Sequence, residues 1–266
     1  MEELSYPEMQ RVLMDELRLM HYPIAVKYFF DQAELDDFKA RVNYYLPAKA
    51  LTFCQAEIGA RMEGITVLVG KEQLGCSNAK CGFGWKDIDA AEIKGHLKYC
   101  RDLEQAERFV RSKPRLKDGL LAVAVSPLAD TFFPPDTVHF YCDNMQAYHL
   151  VVDWMAAKDK HPLRPNMTMN SAACAGNVYV YNTGEANVFL ACSGSYNAGK
   201  TERGEINVGI PGADIGLVVA RLKGRKEQSG GASITRVGQP FPGADICKNC
   251  PLIVFKKAKD PVEAAD

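Results

Sequence analysis

The pair Cys247 and Cys250, in ICKNCP, forms a C-x-x-C that can aim two thiolates at one metal while the intervening amides turn toward the sulfurs. Pro251 follows directly, as is usual after a cluster cysteine. A second pair, Cys76 and Cys81 in GCSNAKCGFGW, has C-x4-C spacing on glycine-flanked chain able to bend around an inorganic core. Together the two pairs supply four thiolates, enough for a [4Fe–4S] cluster or a tetrahedral zinc. Iron–sulfur is favoured, because zinc knuckles pair two C-x2-C units or one with spaced histidines, and neither pattern is complete. Cys54, Cys76, Cys174 and Cys192 make a different quartet, which shares Cys76 with the first. Its competing reading is packing, since a small cysteine on a helix is commonly a buried apolar residue. Lys200 and Arg203, in the polar stretch SGSYNAGKTERGE, stand where an anionic ligand beside Cys192 would need them.

Other residues speak more quietly. The five histidines show no H-x3-H or H-E-x-x-H spacing. His149 or a neighbouring methionine offers an axial ligand for haem or another tetrapyrrole such as a corrinoid, against an ordinary role on a helix. Cys142 reads as structural, Cys100 as a spare ligand, and Glu57 as the one acidic side chain expected near a cysteine loop. GIPGADIG lacks the glycine spacing of a nucleotide loop. No Ser-His-Asp context is recognisable. Whether the chain is an enzyme therefore stays open.

Nine cysteines in 266 residues do not read as a disulfide framework if the compartment is reducing. A cytoplasmic location is expected: no apolar run approaches the roughly 20 residues of a membrane span, and MEELSYPEMQ is acidic where a secretory signal is basic. Thirty-two basic residues against thirty-three acidic ones leave a net charge of −1, which supplies no field to attract nucleic acid or an anionic membrane. With 47% hydrophobic and 24% charged residues the composition is that of an ordinary globular chain.

The elements that must position these residues alternate. Apolar spacing predicts helices over residues 3–20, 32–40, 47–62, 87–98, 103–111 and 143–158, one carrying Cys174, and one from 215 onward. β-Branched and aromatic runs predict strands at 24–30, 65–70, 120–125, 137–141, 187–191 and 206–210. Loops are expected around Cys76 and Cys192. The order helix with cysteine, glycine, strand, loop cysteine, strand occurs twice, with 22 residues from Cys54 to Cys76 and 18 from Cys174 to Cys192. An α/β or α+β fold follows, of two pseudo-repeated units whose mixed sheets are covered by helices. The first unit spans 1–160 with a cysteine-bearing insertion at 77–115, and the second spans 161–266 with a cysteine-containing tail. A twofold between them would bring corresponding loops to one edge.

FCQAEIGARMEG, GCSNAKCGFGW, VHFYCDNMQAYHLV and the later AC…ACSGS…INVGIPGADI series resemble the uncharacterised family catalogued as domain of unknown function 169, found mainly in archaea and anaerobic bacteria. The likeness runs from about residue 10 to 225. Its cysteine pattern falls on Cys54-Gln55, Cys76, Cys174 and Cys192, whereas Cys81, Cys100, Cys247 and Cys250 are additional. That implies a branch which has gained a cluster site, and no reaction comes with it. The expectation is a cytoplasmic iron–sulfur redox protein of anaerobic metabolism, ligated by Cys76, Cys81, Cys247 and Cys250, for electron transfer or ligand activation. Cys54, Cys174, Cys192, Lys200 and Arg203 would line the cofactor or ligand cleft. Expected partners are a redox protein, a small anion or a second copy of the chain. The alternatives are a non-enzymatic tetrapyrrole binder and a zinc-stabilised structural or regulatory protein.

Overall fold

The computed structural model describes residues 4–159, 162–168 and 171–229. Helix starts follow local capping chemistry. Asp31, Asp102 and Asp143 each accept a hydrogen bond from the amide three residues on, opening α2 (Gln32–Arg41), α6 (Leu103–Arg111) and α7 (Asn144–Lys158). Thr52 and Gln55 form a reciprocal capping box that starts α3 at Phe53 and runs it to Arg61, so the stretch from Pro47, expected to be helical, stays outside. The expected glycine loops are also partly helical, with short helices α4 (Ser77–Gly82) and α9 (Ser193–Asn197) directly after Cys76 and Cys192. The remaining helices are α1 (Tyr6–Leu17), α5 (Ala90–Gly95), α8 (Ala173–Thr183) and α10 (Ile215–Ser229). Gly184, at φ 65°, ends α8 in the left-handed conformation that glycine adopts without strain.

Six strands follow the expected order: β1 (Ile24–Phe29), β2 (Val67–Gly70), β3 (Ala122–Pro127), β4 (Thr137–Cys142), β5 (Asn187–Phe189) and β6 (Ile206–Pro211). They form one sheet, β2-β3-β1-β4-β6-β5, in which every strand pair is antiparallel, where mixed sheets were expected. Read from either edge, the sheet presents a short strand, its antiparallel partner and a central strand. The succession β1-α2-α3-β2-α4-α5-α6-β3 parallels β4-α7-α8-β5-α9-β6 except that α5 and α6 have no counterpart in the second. Helix α3 lies against β1, β2 and β3, helix α8 against β4, β5 and β6, and the two helices touch.

Period-2 alternation divides the strand residues between the two faces of the sheet, with Phe29, Leu68, Ala122 and Ala124 joining Leu35 and Phe38 of α2 in a third, smaller cluster. Ile24, Val26, Tyr28, Val123 and Val125 join Phe53, Ala56 and Val178 beneath α3 and α8. On the opposite face Val138, Phe140, Cys142, Val208 and Ile210 pack with α1, α7 and α10 around Trp154, whose indole N–H donates to Asp214 at 2.9 Å. Between the central strands and α8 the first face turns polar, with Thr137, His139 and Tyr141 on β4 and Asn207 on β6, all buried. The segment carrying α4–α6 is pinned by Trp85, whose indole N–H donates to the Leu120 carbonyl at 2.6 Å, and by the Tyr99–Ser193 hydroxyl pair at 2.8 Å.

Close approach of α8 to the sheet depends on Gly176, where a Cβ would lie 2.3 Å from the buried ring of Phe189. Gly176→Ala is expected to cost about 1–3 kcal/mol through overpacking, read as a thermal midpoint several degrees lower.

Candidate metal centre

Each long cysteine-bearing helix holds its thiol in the first turn. Cys54 is the second residue of α3 and Cys174 the second of α8, while Cys76 and Cys192 are the residues that immediately precede α4 and α9. Because α3 and α8 sit side by side over the sheet, the four positions converge. Cys54, Cys76, Cys174 and Cys192 line one cavity of about 120 Å³, together with Asn78, Ser171, Ser195 and Lys200. Cys174 is buried and the other three are half-buried. Amides of a first helical turn favour negative charge on a nearby sulfur. One such contact is formed, with the Ser195 amide donating to Cys192 Sγ at 3.3 Å.

The thiols of Cys54 and Cys174 hold their protons. Burial pushes Cys54 up to about 12, with Glu57 and Cys192 adding to the shift. Cys174 is driven well above the usual thiol range by burial and then by Cys76 and Cys54. Four sulfurs in a partly dry cavity repel one another as anions, and a cation among them removes that penalty. Among the described residues, no three cysteine sulfurs lie within 4.8 Å of one another.

Behind the cavity lies a buried polar network that sequence reasoning touched only at Glu57. Its carboxylate, fully buried, approaches His139 Nδ1 at 2.7 Å and accepts from the Tyr141 hydroxyl at 2.7 Å and from Asn177 Nδ2 at 3.3 Å. His139 Nε2 meets Asn207 Oδ1 at 3.0 Å. Burial and the Glu57 carboxylate hold the Tyr141 hydroxyl well above its usual range, so it donates rather than ionises. Arg61 stacks 3.9 Å over the Tyr141 ring and donates to Glu205 at 2.6 Å and to the Lys200 carbonyl at 3.0 Å. A faint signal was present in the sequence: Glu57 and Asn177 each follow a repeat cysteine by three residues, one helical turn.

Not every anticipated residue joins the cavity. Cys81 lines a separate cavity of about 20 Å³ with Glu92, Lys113 and Arg115, and its thiol is directed at the Asp87 carbonyl, 3.8 Å away. The two cysteines of the C-x4-C pair thus face different spaces. Cys247 and Cys250 lie outside the described residues. Lys200 lines the cysteine cavity, whereas Arg203 is exposed and donates to the Tyr196 hydroxyl at 3.1 Å. Cys142 is buried in the opposite core, donating to the Ile206 carbonyl at 3.4 Å. His149 and Met155 sit on α7, which packs with that core, and Cys100 is half-buried after the turn that carries Tyr99. His21, Glu202 and Glu205 also group closely, with Arg61 already bound to the Glu205 carboxylate.

Among the described residues no helix is long and apolar enough to cross a membrane. No curated protein and no solved structure matches the chain. The catalogued domain of unknown function 169, described as uncharacterised ArCR, matches residues 12–221. That span contains all four cavity cysteines and stops short of Cys247 and Cys250. Covering most of the length, the match shows that this chain belongs to the domain of unknown function 169 family.

Proposed function

We propose that the protein is a cytoplasmic iron–sulfur redox protein of anaerobic metabolism whose cluster is held by Cys54, Cys76, Cys174 and Cys192. The observation that carries this reading is the convergence of four thiols from four chain segments on one cavity. Against the arrangement expected from spacing alone, it retains Cys76 and replaces Cys81, Cys247 and Cys250. Four thiolates satisfy the terminal position on every iron of a [4Fe–4S] cluster, leaving none open for a substrate. Electron transfer to and from a partner redox protein is therefore favoured over ligand activation. A tetrapyrrole needs a larger slot, since pockets for organic ligands of that order run to about 300–1,000 Å³. A structural zinc is the second reading, since four thiolates also complete its tetrahedral shell.

Anaerobic reconstitution with iron and sulfide should give about four irons per chain and a broad visible absorption that dithionite bleaches. Cys54→Ser and Cys174→Ser should each lose most of that absorption, while Cys81→Ser keeps it. A colourless protein with one tightly bound zinc, or retention of the colour in both of the first two variants, would contradict the assignment.

Metal capture must expel thiol protons, so the sign of the pH effect is fixed. With Cys54 and Cys174 protonated at neutral pH, affinity for ferrous or cobaltous ion should rise between pH 6 and 8, with acidification of a weakly buffered solution on mixing. Unchanged affinity over that range would count against ligation by these thiols. Lys200 contributes a cation to the cavity wall, which favours the more negative reduced state. Lys200→Gln should lower the midpoint potential without lowering iron content, as a dye-mediated titration would register.

A further inference from the structure

The turn that follows α6 sends one amine into the wall behind the cysteines. Lys113, half-buried, places Nζ 2.9 Å from Asn78 Oδ1 and 2.7 Å from His96 Nε2, and stands 5.2 Å over the centroid of the Phe109 ring. The tautomer of His96 follows from its other nitrogen. Nδ1 lies 2.8 Å from the Glu92 carbonyl, which can only accept, so Nδ1 carries the proton and Nε2 offers Lys113 a lone pair. Both partners of the amine are therefore neutral acceptors. The Glu92 carboxylate in the same cavity is engaged elsewhere, by the Ser77 hydroxyl at 2.6 Å and by Lys86 at 3.5 Å. Among the described residues no carboxylate forms an ion pair with Lys113.

Its position relative to the cysteines is specific. Asn78 and Ser171 line both the cavity that holds Lys113 and the one that holds the four thiols, so the two spaces share a wall. Asn78 stands two residues past Cys76, and Ala175, in the Lys113 cavity, directly follows Cys174. Burial draws the Lys113 ammonium below its usual range, and the anions that would hold it up are Cys174 first, then Glu92, Cys81 and Cys76. A protonated Cys174 gives that ammonium nothing to face. Two neutral acceptors need only an uncharged donor, and a cation drawn partly out of water beside them is costly. A filled centre supplies the balancing charge. Four thiolates outweigh the positive charge of a [4Fe–4S] core, and one added electron makes the whole more negative.

We propose that Lys113 is the fixed counter-charge of the cysteine centre, acting across the shared wall to favour its reduced, more anionic state. On reduction one electron enters from a reduced partner protein, which is oxidised. Lys113 keeps its protons throughout, and no bond is made or broken. Asn78 and His96 hold the ammonium in place, and Lys200 supplies a second cation from the lining of the cysteine cavity itself. This rests on the cluster assignment above, and the two can fail separately.

The experiment is a dye-mediated redox titration of the reconstituted full chain at one neutral pH, with iron content measured in each sample. Lys113→Gln should keep its iron and visible absorption but shift the one-electron equilibrium toward the oxidised form about tenfold, the order expected when a unit charge leaves a partly dry site. Lys113→Arg, which keeps the charge, should stay close to wild type. Should Lys113→Gln take up no cluster, cobaltous ion decides, added to the full chain before reconstitution and read by its thiolate absorption. Four thiolates around one divalent ion also make an anion, so the variant should bind cobalt about tenfold more weakly than wild type at the same pH. A loaded Lys113→Gln protein with the wild-type potential, a Lys113→Arg protein displaced as far as Lys113→Gln, or equal cobalt affinity in Lys113→Gln and wild type would overturn the role of Lys113 alone. A wild-type chain that takes up no iron would overturn the cluster assignment and this inference with it.

Discussion

Everything at the candidate centre depends on the contact between α3 and α8 where both cross the same face of the sheet. Each helix covers three strands of its own half, and the two meet above the seam between β1 and β4. That contact brings Cys54 and Cys174 together across 120 residues of chain. The loops that leave β2 and β5 then deliver Cys76 and Cys192 to the same place. The glycine at position 176 permits the approach, because any larger residue would meet the Phe189 ring.

The polar underside of the seam follows from the same geometry. β4 alternates Thr137, His139 and Tyr141 toward the cysteine-bearing helices with Val138, Phe140 and Cys142 toward the opposite core. A sheet that only had to pack would carry apolar residues on both faces, as β3 does with Val123 and Val125 on one and Ala122 and Ala124 on the other. The buried Glu57 of α3 has its partners on two other elements, His139 and Tyr141 on β4 and Asn177 on α8, and these ties fix the helices relative to the sheet. Local cavity chemistry and global register are thus specified by one set of hydrogen bonds.

Much of the architecture was legible because helices and strands here obey their own periods. The Thr52–Gln55 and Asp143–Gln146 boxes, the β-branched runs and Gly184 all act through neighbours in sequence. Antiparallel pairing throughout one sheet was not legible, since the order of strands is set by contacts between distant segments. The same limit applied at the site. The repeat placed Cys54, Cys76, Cys174 and Cys192 in corresponding positions, and the structure brings those four together. Spacing alone favoured C-x4-C, yet Cys76 precedes α4 while Cys81 lies within it, so the two sulfurs face different cavities. His139 escaped notice because a single histidine in TVHFY carries no signal until its neighbour on another element is known.

Anomalous diffraction at the iron absorption edge, from crystals of anaerobically reconstituted protein, addresses the central claim most directly. The account predicts iron density inside the cavity, within bonding distance of the sulfurs of Cys54, Cys76, Cys174 and Cys192. Iron bound instead by Cys81, Cys247 and Cys250, or no iron at the cavity in a loaded protein, would contradict it.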